Sequence, residues 1–325
     1  MDATAIAHPN IALVKYWGKR DRRLNLPAAG SLSVTLQGLS TTTRVRFDED
    51  LEKDRVTLDT EQLTEQRAYR RVVDFLDLVR GAAEIEYRAY VETHNDFPTA
   101  AGLASSASGF AALTVAATAA AGLDWPVERL SALARRGSGS AARSLFAGFA
   151  EMKRGHRSDG SDAHAVAIAP ADHWDLRCLI ALTARGEKKV GSTSGMIRTQ
   201  ESSPLFEPWR ATVAADIDEA RQAIATRDFE LLSGVAERSC LRMHATAIGA
   251  DPGVLYWNAT TVSLIHRVRE ARRDGLPCFF TIDAGPHVKV FCPTEHAAEV
   301  SAMLQGTEGV DGVLSARPGP GATLC

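Results

Sequence analysis

Asn95-Asp96-Phe97-Pro98-Thr99-Ala100-Ala101-Gly102-Leu103-Ala104-Ser105-Ser106-Ala107 reads as a glycine- and serine-bearing loop that turns directly into a helix. The residues after it, Ser108 to Ala121, are almost all alanine, with Phe110, Leu113 and Val115 among them. A segment apolar nearly all round predicts a buried helix, and Gly122 suits its C-terminal stop. Alternation over residues 84–93 predicts a strand leading into the loop. Strand, loop and helix in that order suit an anion site. Free N–H groups and the positive end of the helix dipole face outward, and small residues leave the approach open. Ser105 and Ser106 could cap the helix, bind a phosphate or coordinate a metal through their hydroxyls. Taken alone, an ordinary N-cap explains them equally well.

The chain around this stretch has 325 residues, enough for two domains, and a boundary is expected near residue 185. An apolar fraction of 45% and a charged fraction of 24% describe an ordinary globular protein. The formal net charge of −3 offers no broad attraction to nucleic acid or to an anionic membrane. A small anionic substrate would need a local basic pocket. No apolar run approaches the roughly 20 residues of a membrane span, and Met1-Asp2-Ala3-Thr4 lacks the basic and apolar regions of a signal sequence. The five cysteines are odd in number, scattered and without metal-type spacing, which points to free thiols in a reducing cytoplasm. With no His-x-x-x-His pair, no structural metal is expected.

Residues 5–16 predict one or two strands broken at His8-Pro9. Basic residues then crowd Lys15-Tyr16-Trp17-Gly18-Lys19-Arg20-Asp21-Arg22-Arg23. A solvated turn is the usual fate of a charge run, but aromatic and cationic groups together suit the wall of a pocket for a polyanion. Residues 31–36, 41–47 and 56–58 predict a β-meander, and 62–80, with Leu63, Val72, Phe75, Leu76 and Val79, a helix. A further helix is expected from Val127 to Arg136, with Pro126 as its first residue and Gly137 as its stop.

Gly137-x-Gly139-x-x-Ala142 superficially matches a dinucleotide fingerprint, but a helix precedes it where a strand is required. A serine-rich turn opening a short helix is the better reading, with Arg143 one turn in, able to fork onto a carboxylate or phosphate. A surface arginine would be the commoner outcome for that residue taken singly. Residues 145–182 predict three strands joined by a polar loop, 154–163, and Lys188 to Met196 another small-residue loop. Helices follow at about 205–225, 228–246 and 256–274, then strand 277–282, turn 283–287, strand 288–292, helix 295–305, strand 310–315 and an irregular tail from Pro318 to Gly321. Asp283 stands on the corner Thr281-Ile282-Asp283-Ala284-Gly285-Pro286. It either bonds its own turn, as a lone Asp commonly does, or is a carboxylate fixed at a cleft edge and available as a base.

Four blocks, in order, carry a family resemblance: Asn10-Ile11-Ala12 with Lys15-Tyr16-Trp17-Gly18-Lys19; Phe97 to Ala107; Gly137 to Ser144; and Asp283-Ala284-Gly285-Pro286. The chain resembles the diphosphomevalonate decarboxylases, within the superfamily of small-molecule kinases named for galactokinase, homoserine kinase, mevalonate kinase and phosphomevalonate kinase. The resemblance implies an α/β (α+β) two-domain small-molecule kinase fold. Residues 1–185 would form a ribosomal S5 domain 2-like part carrying the ATP loop, and 186–325 a ferredoxin-like part, with the active site in the cleft between them. It also implies a homodimer. The implied reaction uses ATP and Mg²⁺ to phosphorylate the tertiary 3-hydroxyl of mevalonate 5-diphosphate. Phosphate and carbon dioxide then leave, giving isopentenyl diphosphate in the mevalonate pathway.

By the same resemblance, Asp283 lies beside the 3-hydroxyl, Lys15 steadies Asp283 and the incoming phosphoryl oxygens, and Arg143 orients the substrate carboxylate. Asn10, Tyr16, Trp17, Lys19, Ser138 and Ser140 would line the substrate site. Ala101, Gly102, Leu103, Ala104, Ser105 and Ser106 would cradle ATP, with Ser105 or Ser106 adding a hydroxyl to the metal. Ser192 would belong to a loop closing over nucleotide and substrate. Two departures stand out: Ala28-Ala29-Gly30 and His287 occupy places where relatives commonly carry Asn. They leave open a mevalonate 5-phosphate decarboxylase or a mevalonate 3-kinase. Retention of Lys15, Asp283 and Arg143 favours decarboxylation, and Lys19 with the serines favours the diphosphate. A silent ATP- or isoprenoid-phosphate-binding regulator would be expected to lose the base or the phosphate loop.

Overall fold

A computed structural model of the chain describes residues 1–64, 67–97, 105–184, 186 and 190–325. The expected ATP contacts Ala101, Gly102, Leu103 and Ala104 lie outside the described residues, as do Lys188 and Lys189. In chain order come β1 (Asp2–Ala7), β2 (Asn10–Val14), β3 (Lys19–Asp21), β4 (Leu26–Pro27), β5 (Ser31–Gln37), β6 (Thr41–Asp48), β7 (Arg55–Leu58), β8 (Glu61–Leu63), α1 (Arg67–Ala83), β9 (Arg88–Asn95) and α2 (Ser105–Ala120). Then follow α3 (Val127–Gly137), α4 (Ala141–Ser144), β10 (Phe149–Met152), β11 (Ala165–Ala169), β12 (Leu176–Leu182), α5 (Ser192–Ser202), α6 (Phe206–Thr226), α7 (Phe229–Ile248) and α8 (Ala259–Arg273). The chain closes with β13 (Phe279–Ile282), β14 (Val288–Pro293), a 3₁₀ turn (Thr294–His296), α9 (Ala297–Gln305), β15 (Gly312–Pro318) and β16 (Thr323–Leu324).

One sheet runs β16-β1-β6-β9-β7-β8, and α2 packs across β1 and β6. As its composition predicts, α2 is buried on nearly every side. It ends where Gly122 turns left-handed at φ +72° and Leu123 N–H reaches back to the Thr118 carbonyl. The other large sheet runs β11-β10-β5-β15-β12-β14-β13, with β2 also paired to β5. Its earlier and later strands join through the short pairing of Arg317 with Gln37 and Pro318 with Leu36. β12, just ahead of residue 185, pairs on both sides with the later strands β14 and β15.

Several expectations are corrected. Residues 31–58 are not a meander: the chain turns at Gly38 (φ +109°), so that β5 and β6 enter different sheets, and β7 lies parallel to β9. β5 is buried on both faces and so belongs between layers, whereas β6 alternates and covers one face. Leu63 ends β8 instead of opening α1. Pro126, with extended backbone at ψ 151°, precedes α3. The small-residue segment at Ser192 is the start of α5, turned inward by Met196 and Thr199. After the irregular tail, β16 covers the edge of β1.

Candidate active site

The site is built where β2 and β13 end. Thr281 on β13 donates its hydroxyl to the Ala12 carbonyl on β2 at 3.3 Å, which brings the following residues, Lys15 and Asp283, together. Helix α7 clasps the joint. Ser239 Oγ accepts from Lys15 N–H, Cys240 Sγ accepts from Ile282 N–H at 3.2 Å, and His244 Nε2 meets the Ile282 carbonyl at 3.1 Å. Cys240 and His244 are four residues apart, one turn, so both reach the same strand residue. Burial holds the His244 pKa down to about 3, leaving a neutral ring whose Nε2–H donates.

Lys15 Nζ lies 2.6 Å from Asp283 Oδ1, and Lys289 Nζ lies 3.5 Å from Oδ2. Both lysines are buried, whereas the Asp283 side chain keeps 27% exposure. Burial by itself would raise the Asp283 carboxyl; the charges of Lys15 and Lys289 outweigh it and hold the group well below the usual carboxylate range. Asp283 is therefore not merely a turn-forming residue. His287 is buried, and its Nδ1 accepts from Thr183 N–H at 3.1 Å. The other departure, Ala28-Ala29-Gly30, forms part of a separate cleft of about 760 Å³ beside α6, and the Ala28 carbonyl accepts from Arg154.

Arg143, on the short helix α4, is 1% exposed, the opposite of a surface arginine. Its guanidinium donates to Ser33 Oγ at 2.8 Å, Ser31 Oγ at 2.7 Å and Asn10 Oδ1 at 3.1 Å. The period-2 alternation of β5 puts Ser31 and Ser33 on one face. Asn10 also binds the Ser140 carbonyl and Ser144 Oγ, so it orients Arg143. Among the described residues no carboxylate pairs with Arg143, and burial lowers its pKa to about 10 against the opposing influence of Tyr16 and Asp283. A buried guanidinium held only by neutral acceptors is set to receive an anion.

Tyr16 lies beside it, its ring centroid 6.0 Å from the Arg143 guanidinium carbon. Its hydroxyl is buried with no hydrogen-bond partner among the described residues, and burial raises its pKa to about 12. A Cβ at Gly139 would stand 2.3 Å from the Tyr16 oxygen, so any larger residue there would displace the Tyr16 ring. Trp17 is buried in the core edge-on to Tyr256, 6.1 Å between centroids.

Ser106, Ser138 and Ser140 form a row of hydroxyls spaced 3.4 and 3.2 Å apart, joining the start of α2 to the turn before α4. Ser105 is the first residue of α2, and Ser192 the first of α5. Lys19 is half-buried. Burial first, then the charges of Arg71, Arg67 and Arg22, lower its pKa to about 8. Such a concentration of cations matches a polyanionic ligand. Among the described residues no cluster of His, Cys, Asp and Glu could hold a metal. That donor set fits Mg²⁺ only as an ion carried largely by phosphate oxygens and water, with serine hydroxyls at its edge.

The sequence reading missed Lys289, Ser31, Ser33, Arg67 and Arg71. Lys289 could have been noticed as a lone cation in the apolar run Val288-Lys289-Val290. Arg67 and Arg70 stand in the first turn of α1, where the helix dipole favours acids and none is present, and Arg71 comes just after it. Ser31 and Ser33 carried only the alternation signal.

Two family models match the chain: the diphosphomevalonate decarboxylase-like N-terminal domain over residues 7–165 and the mevalonate 5-diphosphate decarboxylase C-terminal domain over 178–311. A diphosphomevalonate decarboxylase of Ganoderma lucidum is 39% identical, over 93% of this chain and 81% of its own length. That of Homo sapiens is 38% identical, over 93% and 80%. Among solved structures, the mevalonate diphosphate decarboxylase from Enterococcus faecalis superposes with a TM-score of 0.92 at 40% identity, covering 100% of this chain and 99% of its own. A structure of MDDEF in complex with MVAPP, AMPPCP and magnesium gives 0.93 at 41%, with the same coverage. Family models and relatives together cover nearly the whole length, and the chain belongs to the diphosphomevalonate decarboxylase family.

Proposed function

We propose that the protein converts mevalonate 5-diphosphate and ATP into isopentenyl diphosphate, ADP, phosphate and carbon dioxide. The observation that carries this reading is an ionised Asp283 held by Lys15, beside a buried Arg143 that lacks a carboxylate partner among the described residues. A carboxylate and an anion-seeking guanidinium are what a 3-hydroxy acid requires. The related structures bound to MVAPP, AMPPCP and magnesium support the same substrate, nucleotide and ion.

Asp283 accepts a hydrogen bond from the 3-hydroxyl and aligns its oxygen for in-line attack on the γ-phosphoryl group. With its basicity held low, it takes the proton late, as the new O–P bond forms. Lys15 steadies the arriving phosphoryl oxygens. The C3–O bond then breaks and phosphate leaves with the bonding pair. The bond from C2 to the carboxylate supplies the electrons of the new alkene as carbon dioxide departs. Arg143 holds that carboxylate antiperiplanar to the leaving phosphate. Ser106, Ser138, Ser140, Tyr16 and Lys19 receive the phosphate-bearing ends. Ser105 and Ser106, at the start of α2, would hold Mg²⁺ carried by the ATP phosphates, which would supply positive charge to the transferred group. Residues 1–185 and 186–325 are taken as the two lobes, with the site between them. Five free thiols support a reducing, cytoplasmic setting, and the homodimer follows from the family likeness. No described helix is long and apolar enough to cross a membrane.

Incubating the purified protein with ATP, Mg²⁺ and either the diphosphate or mevalonate 5-phosphate tests the reading. Matched release of ADP and carbon dioxide with the diphosphate supports it, whereas ADP without carbon dioxide makes the protein a 3-kinase. Lys19 adds a pH signature. Its pKa of about 8 means that the free enzyme loses this charge as pH rises past that value. We expect kcat/KM for the diphosphate to fall above about pH 8. Lys19→Gln lowers it by about tenfold or more at neutral pH and removes that fall.

A further inference from the structure

Lys289 is wholly buried on β14. An ammonium out of water is costly unless it is paired and hydrogen-bonded. β14 pairs with β13 so that Lys289 lies opposite Thr281. Asp283 is two residues beyond Thr281 and is the first residue after β13. Lys289 Nζ stands 3.5 Å from Asp283 Oδ2 and 3.4 Å from the His287 carbonyl, to which it donates. These two acceptors belong to the first and last residues of the turn 283–287. One side chain thus ties together both ends of the corner that presents the carboxylate.

We propose that Lys289 is a positioning residue for phosphoryl transfer: it holds the second oxygen of Asp283 and the far end of its turn, so that the carboxylate keeps one orientation toward the 3-hydroxyl. The inference rests on the role given to Asp283 above. The terminal torsion of an aspartate is soft, so a carboxylate gripped at one oxygen can swing about that contact. Lys15 grips Oδ1 and Lys289 faces Oδ2, which removes the swing. A carboxylate has about four lone-pair sites. The lysines, being buried, take theirs from inside the protein, and the exposed part of Asp283 keeps the remainder for the substrate.

A double-mutant cycle between Lys289→Met and Asp283→Asn tests this, with Lys289→Gln as a smaller change that keeps a donor should the Met variant fail to fold. We expect Lys289→Met to lower kcat about a hundredfold, with the KM values for ATP and diphosphate near those of the parent. Adding it to Asp283→Asn should cost nothing further, because its effect passes through that carboxylate. A parental kcat, a loss appearing in KM, or losses that multiply in the double variant would each overturn the proposal. Thermal unfolding of the same variants reads the Lys289–Asp283 coupling without any turnover, so an inactive parent would sink the proposed reaction and leave this pairing separately measurable. Additive unfolding shifts would overturn the pairing itself.

Discussion

Asp283→Ala retains ATP binding near the parental affinity and loses turnover by about 10³- to 10⁴-fold, as expected for the group that aligns and finally deprotonates the attacking hydroxyl. The substitution also strips the counter-ion from two buried lysines, Lys15 and Lys289. Removing one partner of a buried pair costs about 3–5 kcal/mol of stability, so Asp283→Asn, which preserves shape, separates chemistry from folding. ADP and carbon dioxide should fall together in both variants. Near-parental rates would remove Asp283 from the mechanism.

The direction of the Asp283 shift has its own consequence. A depressed carboxyl contributes stability that is present above the unfolded value, about 3.9, and is lost only as pH falls through the lower folded value. Asp283 therefore stays charged throughout the usual carboxylate range, and loss of activity near pH 4 should be traced to other groups.

Arg143→Gln is expected to lower kcat/KM for the diphosphate by about 10²- to 10³-fold, the range for truncating one partner of a buried charge pair. Its second effect is more specific. With the carboxylate no longer held antiperiplanar, the 3-phosphorylated intermediate decarboxylates less readily than it forms. Residual ADP release should outrun carbon dioxide release. The two are measured in one reaction, by a coupled ADP assay and by trapping labelled carbon dioxide. Equal release at a reduced rate would assign Arg143 to substrate capture alone. The environment of this residue makes folding of the variant plausible: its partners are Ser31, Ser33 and Asn10, none of them charged.

Much of this molecule is local, and what is local was legible. The alanine-rich run from Ser108 announced a buried helix because no face of it is polar, and α2 is that helix. His8-Pro9 had to interrupt pairing, and β1 and β2 part there. The blocks around Lys15, Ser106, Arg143 and Asp283 could be recognised because each packs its chemistry into a few consecutive residues. The corner at Asp283 was readable as either a simple turn or a fixed carboxylate, since both use the same residues.

The tertiary structure decided between such alternatives. Whether β5 pairs with β6 depends on burial from both sides, which only the second layer supplies. Ser192 opens a helix because Met196 and Thr199 find a core to enter. Arg143 became a buried guanidinium without a charged partner among the described residues when β2 and β5, more than a hundred residues earlier in the chain, surrounded it with Asn10, Ser31 and Ser33. Lys289 looked like an isolated lysine until strand register set it beside Asp283. Sequence by itself determined which local segments could carry each chemistry, since propensity and spacing act between near neighbours. Only tertiary structure decided which charges share low-dielectric space, because that coupling depends on distance in three dimensions.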